Sequence, residues 1–420
     1  MAFFSRFLER WFPQLDAQIW ILAFGRLLSQ IGTGFTLFYA PIFFVNQVGL
    51  SSTAVGIGLG MTQISGILGR ILGGSLADAP AWGRRRTLLL SAVISAIASF
   101  TLALTHNFTT LILGNLLAGL GIGLYWPATE AVVADLTTGK QRNEAYALTR
   151  FGDSLGLQLG ILLAGILVAT TQTYRALFVI DGLSFIGFFG VILKFITESR
   201  QPSAPGVSSL TPWQGWAQAL QDRTLMIYIV INTLSTLYIS QIHTTIPLYF
   251  SNFITPGFSP GILSGLFTWH ITISAIALLP LARQLGRLSH AHALTISALL
   301  WGIGFVLIGW TGTAEYQPLI LAIFGLGVLA LATVSYTPSA SALVADLAPS
   351  SLRGTYLAIN AQCWAIGYLI GAPLGGWVLD QTPQLVYNFW IVLAISTGIV
   401  VVILQQLNTL IMARKTQSQE

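Results

Sequence analysis

Apolar residues run along this chain in long blocks separated by short polar stretches. The blocks fall at 17–45, 53–77, 87–105, 110–134, 145–170 and 174–196, then, after a polar gap, at 224–251, 259–283, 293–313, 317–344, 355–379 and 387–411. A helix needs roughly 20 apolar residues to cross the hydrocarbon core, which is about 30 Å thick, because each residue rises about 1.5 Å. A transmembrane β-barrel shows short segments of alternating polarity instead. The pattern therefore predicts an all-α integral membrane protein with twelve transmembrane helices and the lipid bilayer as its main solvent. Before the first block, Phe3, Phe4, Phe7, Leu8, Trp11 and Phe12 alternate with Arg6, Glu9, Arg10 and Asp16. That spacing predicts a short interfacial helix, and no small-residue cleavage site of a secretory signal follows it.

The polar pattern repeats. Tyr125-Trp-Pro-Ala-Thr-Glu-Ala-Val-Val-Ala-Asp-Leu136 matches Tyr336-Thr-Pro-Ser-Ala-Ser-Ala-Leu-Val-Ala-Asp-Leu347. Pro127 pairs with Pro338, an offset of 338 − 127 = 211, half of the 420-residue chain. The same offset pairs Asp135 with Asp346, Arg142 with Arg353, Gly156 with Gly367, Gly160 with Gly371 and Gly165 with Gly376. Two six-helix units are predicted, 1–197 and 224–420, joined by a cytoplasmic linker at 198–223. The linker holds Pro202, Ser203, Pro205, Gly206, Ser208 and Ser209, a flexible composition. Trp213, Trp216, Ala217 and Leu220 near its end predict a short helix on the membrane surface.

Composition supports this picture. Hydrophobic residues make up 54% of the chain and charged residues 8%, against roughly a quarter charged in a soluble domain. With both termini placed in the cytoplasm, every Lys and Arg except Arg26 and Arg175 falls on the inner side or at an inner helix end, 19 − 2 = 17 of 19. Both units then share one orientation, so the repeat is parallel. The same bias accounts for the formal charge of +5 and makes a nucleic-acid partner unnecessary. Cys363 is the only cysteine, so no intramolecular disulfide can form. No G-x-x-x-x-G-K-[ST] phosphate loop, H-E-x-x-H or C-x-x-C pattern is present. No catalytic residue, metal or cofactor is expected, and neither is drive by ATP bound to this chain.

Between the second and third spans the chain reads Gly74-Ser-Leu-Ala-Asp78-Ala-Pro-Ala-Trp-Gly83-Arg84-Arg85-Arg86. This resembles the G-x-L-A-D-R-x-G-R-R signature of the major facilitator superfamily, and the 6+6 parallel repeat with a central cytoplasmic loop resembles that family across the whole chain. The resemblance implies the family's fold, no enzymatic activity, and transport of a small molecule by alternating access. It implies a cytoplasmic gate in which Asp78, Arg84 and Arg85 form a charge-relay latch, with Gly74, Gly83 and Arg86 completing the motif. Four residues separate Asp78 from Gly83 where the family pattern has two. Gly74 is expected to let a neighbouring helix approach closely. The second unit keeps only Gly286-Arg-Leu-Ser-His290, with His290 at the acidic place. Asp135 and Arg142, and likewise Asp346 and Arg353, bracket equivalent cytoplasmic turns and are expected to form structural pairs.

Charges inside a membrane are costly and mark functional sites by default. Arg26 lies about nine residues into span one and Asp153 about eight into span five. Both spans start inside, so the two sit roughly 12–13 Å deep, and a pair is expected. Glu130, near Trp126 in span four, is a third coupling candidate that could compete for Arg26 or take up a proton. In the family, helices one, four, seven and ten line the central cavity. By position that implies Gln30, Tyr39, Asn115, Trp126, Asn232, Tyr238, Gln241, His243 and Tyr336 as substrate contacts. Asn115 stands where many proton-coupled members carry Arg, and the fifth helix has Gly156 and Gly160 without the antiporter proline. Asp181, six residues after Arg175, is expected to be structural.

The sequence thus favours a secondary transporter in the inner membrane that works as a monomer and exports a lipophilic or weakly charged solute against protons. It resembles the drug-efflux branches of the superfamily most. An uptake carrier for a sugar or similar metabolite, and a receptor or scaffold that does not transport, are the alternatives.

Overall fold

The computed structural model describes residues 15–137, 139–199, 212–285, 287–314, 316–349 and 352–417. The expected interfacial helix before Leu15, most of the linker and Gly286 lie outside the described residues. Among these residues eleven helices are long and apolar enough to cross a membrane, or twelve if one bent pair is counted as a span. That pair is α1 (Ala17–Leu37) and α2 (Tyr39–Asn46), which meet at a 41° bend. The first span is therefore broken at Phe38. The Asp16 carboxylate starts α1 by accepting from the Gln18 N–H at 2.7 Å. Contacts divide the chain into two units, one of Met1–Leu50 with Met61–Pro205 and one of Ser51–Gly60 with Gly206–Glu420.

The first unit adds α3 (Ser52–Asp78), α4 (Gly83–Ala103), α5 (Phe108–Leu136), α6 (Gly139–Thr171) and α7 (Tyr174–Phe195). Water cannot drive helices together in lipid, so close packing does, and bare backbones meet where glycine stands. A Cβ on Gly160 of α6 would collide with the Ile31 carbonyl oxygen of α1 and sit 2.8 Å from Gly34. Gly156 lies against Leu27 in the same way. Gly69 and Gly73 of α3 meet Leu120, Gly123 and Leu124 of α5. Gly74, expected to serve that purpose, has nothing within 4 Å of its Cβ position among the described residues. The contact belongs to its neighbours because the side of α3 that faces α5 carries residues 66, 69 and 73. Asn107 caps α5 by accepting from the Thr110 N–H at 3.0 Å.

The second unit contains α8 (Pro212–Ala219), the short helix expected at the end of the linker, then α9 (Arg223–Asn252), α10 (Pro260–Leu285), α11 (His290–Thr311), α12 (Pro318–Leu347), α13 (Arg353–Leu379) and α14 (Pro383–Gln417). Here the glycines of α13 pack on α9. Gly367 lies against Thr236 and Leu237, and Gly371 against Ser240 and Gln241. These are the repeat partners of Gly156 and Gly160, so the offset of 211 reproduces one helix crossing in each unit. The first residues of α3 group with this unit. The Asp380 carboxylate, just after α13, accepts from the N–H groups of Ser52 at 2.9 Å and Thr53 at 2.7 Å and from the Thr53 hydroxyl at 2.5 Å.

Candidate functional site

Within the first unit, α1, α5, α6 and α7 pack with parts of α3 and α4 around an apolar core of Ile19, Leu22, Ala128, Val132, Phe188 and their neighbours. Arg26 enters this core and is only 1% exposed. Its Nε donates to Asp153 Oδ1 at 2.9 Å, and its Nη2 meets the other carboxylate oxygen. The fork-to-fork geometry suits a buried charge, because desolvation is repaid only by close, directional contact. The guanidinium carbon also lies 5.7 Å from the Tyr125 ring and 5.4 Å from the Trp126 ring. Aromatic faces attract a cation without adding a second negative charge.

Glu130 does not join Arg26. It accepts from Arg150 Nη2 at 2.8 Å, and both side chains are about half exposed. The Arg150 guanidinium carbon lies 4.7 Å from the Trp126 ring, so Trp126 contacts both cations. The site is thus two carboxylate–arginine pairs linked by one indole, one pair buried and one reaching solvent. Arg150 was legible only as an inner-end charge. Its place one turn before Asp153, on the same helix face, was the available signal.

The gate motif resolves into separate jobs. Arg84 reaches Asp78 at 2.5 Å, donates through Nε to Asp135 at 3.1 Å and also bonds the Ala77 carbonyl. The two extra residues before Gly83 are absorbed by a turn in which the Trp82 and Gly83 N–H groups donate to the Ala79 carbonyl at 3.1 Å each. Gly83 has φ +85°, and a Cβ there would collide with the Glu198 carboxylate. Glu198 caps α4, accepting from the Arg84 and Arg85 N–H groups at 2.8 and 3.1 Å. Arg85, expected in the latch, turns away and donates to the Leu193 carbonyl at 2.7 Å; Arg86 donates to the Ala81 carbonyl at 2.7 Å. Successive helix positions point about 100° apart, so three consecutive arginines cannot share one target.

The expected Asp135–Arg142 pair also rearranges. Asp135 bonds Arg84 and the Ser199 hydroxyl, while Arg142 donates to the Ala134 and Thr137 carbonyls at 3.0 and 2.9 Å. An arginine after a helix end satisfies orphan carbonyls that no side-chain carboxylate needs to cover. In the second unit Asp346 meets His290 at 3.2 Å; the Arg353 side chain lies outside the described residues.

Most of the expected cavity residues are engaged within their own unit. Asn115 donates to the Leu111 carbonyl and accepts from the Thr62 hydroxyl, both at 2.9 Å. Tyr39 is buried against Tyr174. Asn232, Tyr336, Tyr228 and Asn360 form one buried polar cluster across α9, α12 and α13, in which the Tyr336 hydroxyl donates to Asn232 and the Tyr228 hydroxyl to Asn360 at 2.6 Å. Gln241 donates to the Gly371 carbonyl at 3.0 Å and accepts from the Thr245 hydroxyl. Tyr238 shares a hydrogen bond with Ser396 at 2.7 Å. In lipid a polar group without water must find a protein partner, which is why these side chains tie helices together. Gln30, Trp126 and His243 keep partial exposure, and His243 Nδ1 shares a hydrogen bond with the Tyr368 hydroxyl at 2.7 Å. Asp181 is buried and accepts from the Ser99 hydroxyl at 2.7 Å, while Arg175 binds the Thr105 carbonyl at 3.0 Å. Among the described residues no group of three or more His, Cys, Asp or Glu is placed to hold a metal.

Residues 22–267 and 254–413 match the family model for the Major Facilitator Superfamily. Among curated proteins, the chain is 25% identical over 378 residues to Multidrug resistance protein MdtH of Klebsiella pneumoniae (strain 342), covering 90% of this chain and 88% of that one. It is 26% identical over 382 residues to Multidrug resistance protein MdtH of Salmonella typhimurium, with the same coverage. Among solved structures, the nucleoside transporter NupG superposes with a TM-score of 0.76 at 14% identity over 93% of this chain and 99% of that one. A POT family transporter in complex with 5-aminolevulinic acid gives a TM-score of 0.74 at 15% identity, over 96% and 98% of the two chains.

Proposed function

This chain belongs to the major facilitator superfamily, as a multi-pass secondary transporter of a small molecule, and we propose that it exports a lipophilic or weakly charged solute in exchange for protons. The observation that carries the coupling is the buried Arg26–Asp153 pair. A fixed cation beside a carboxylate in an apolar surround can be opened by one proton, and opening leaves a buried charge that favours another conformation. The Trp126 contact to both guanidiniums links that event to Glu130 and Arg150, which reach solvent and offer a proton route. Export of a lipophilic compound is further supported by the curated relatives named for multidrug resistance. Arg84, holding Asp78 and Asp135, is the core of the cytoplasmic latch.

In this reading the protein lies in the inner membrane with both termini cytoplasmic and works as a monomer. Reconstitution into proteoliposomes tests it. A pH gradient should accelerate movement of a lipophilic cationic dye against its own gradient, and Asp153→Asn should abolish that acceleration while leaving downhill exchange. Downhill movement alone, at a rate the pH gradient does not change, would refute proton coupling. No movement at all would refute export of such compounds.

A further inference from the structure

The arginines that the gate leaves unused line a cavity of their own. It measures about 550 Å³ and lies between the α3–α4 turn, the start of α4 and the end of α7. Arg85, Arg86 and Lys194 bring three cations to its wall, against one carboxylate, Glu198. That carboxylate is already committed to the Arg84 and Arg85 N–H groups. Arg85 and Arg86 donate to carbonyls, which fix their direction, and neither makes an ion pair among the described residues. Arg85 Nε is buried and has no hydrogen-bond partner among the described residues. The Arg85 charge is thus only partly satisfied within the protein, and an anionic oxygen in the cavity would meet it by charge-assisted hydrogen bonds from the guanidinium.

The surroundings say what kind of anion fits. α4 begins and α7 ends here, so the cavity lies at the depth where the apolar spans give way to headgroups. Trp82, Leu193 and Phe195 are 37%, 50% and 48% exposed around it, and the Lys194 ammonium lies 5.3 Å from the Phe195 ring centroid. Aromatic residues at this depth sit among lipid headgroups, and basic pockets between helix ends suit anionic ones. A small soluble anion would gain nothing from that apolar rim.

We infer that this cavity binds the phosphate of an anionic phospholipid drawn from the leaflet on the Lys- and Arg-rich side. The guanidiniums of Arg85 and Arg86 and the Lys194 ammonium take the phosphate oxygens, and the acyl chains descend past Leu193 and Phe195. The site does not depend on what the protein transports.

Lipid binding to the purified full-length chain in neutral detergent tests this by native mass spectrometry and by thermal unfolding, using phosphatidylglycerol, phosphatidylcholine and inorganic phosphate as separate probes. Phosphatidylglycerol should bind at least about tenfold more tightly than phosphatidylcholine and raise the unfolding temperature. Millimolar phosphate should not displace it. The combined variant Arg85→Gln, Arg86→Gln, Lys194→Gln should lose this preference. Removing three other exposed inner charges, Arg223→Gln, Arg283→Gln and Arg287→Gln, should keep it. Equal loss in both triple variants would overturn the site in favour of diffuse attraction. Displacement by phosphate would reassign it to a soluble anion, and equal binding of the two lipids would overturn it in the parent protein, without recourse to any variant.

Discussion

Asp153→Asn should be more damaging than Arg26→Gln, although each breaks the same pair. Arg26 is 1% exposed and cannot give up its charge. A neutral amide in place of the Asp153 carboxylate would leave that cation with two aromatic faces and no counter-charge, and breaking a buried pair from one side costs about 3–5 kcal/mol. Asp153 keeps 13% exposure, so water can still reach its carboxylate without the partner, which limits the cost of Arg26→Gln to about 1–3 kcal/mol. The double variant removes both charges and should cost less than Asp153→Asn alone, about 1–2 kcal/mol, because two neutral amides can bond each other. The coupling energy from the double-mutant cycle should therefore be large and favourable. Denaturant unfolding of the full chain in mixed micelles, for parent, both single variants and the double, supplies the four numbers. Costs that simply add, or equal costs for the two single variants, would refute the view that an uncompensated buried cation dominates.

Three other outcomes follow from the same geometry. Gly160→Ala drives a methyl into the Ile31 carbonyl oxygen, so α6 must move off α1; a loss of about 1–3 kcal/mol is expected in unfolding experiments, whereas Gly74→Ala should be neutral. Arg84→Gln removes the link between Asp78 and Asp135 and should cost about 1–3 kcal/mol, while Arg86→Gln, which gives up a bond to an exposed carbonyl, should stay within about 0.5 kcal/mol in the same unfolding measurement. Burial opposes ionisation of Asp380, but the hydrogen bonds from Thr53 and Ser52 outweigh it and hold its carboxyl below the usual range. Its contribution is therefore complete above the ordinary value near 4 and fades as pH falls through the lower folded value. Asp380→Asn should cost about 1 kcal/mol at pH 7 and progressively less in unfolding curves taken below pH 4.

The spans, the repeat and the buried pair were legible for a shared reason: each depends on distance along a helix axis. Arg26 and Asp153 sit equally far from helix ends on the same side, and depth alone brought them together. What was not legible depends on direction around an axis or on the shape of a turn. Arg85 and Arg84 are neighbours in sequence, yet only Arg84 faces Asp135. Glu130 found Arg150 through the corner between α5 and α6, 20 residues apart. Asn232, Gln241 and Tyr336 were expected in the cavity from the family resemblance, by their place on spans seven and ten; packing turned them toward adjacent helices of their own unit. The break at Phe38 was silent because both sides of it are equally apolar.

The helix crossing at Gly156 and Gly160 is matched at Gly367 and Gly371. The register that aligns these glycines also aligns Glu130 with Ser341, Arg150 with Ala361 and Asp153 with Trp364. Across the repeat, the positions that match are those where backbones meet, and those that differ carry the ionisable side chains. The second unit thus repeats the crossing that holds Asp153 against the first span but puts Trp364 where that carboxylate stands, so a variant that loosens the crossing tests the same backbone contact in two settings, one beside a buried ion pair and one without it.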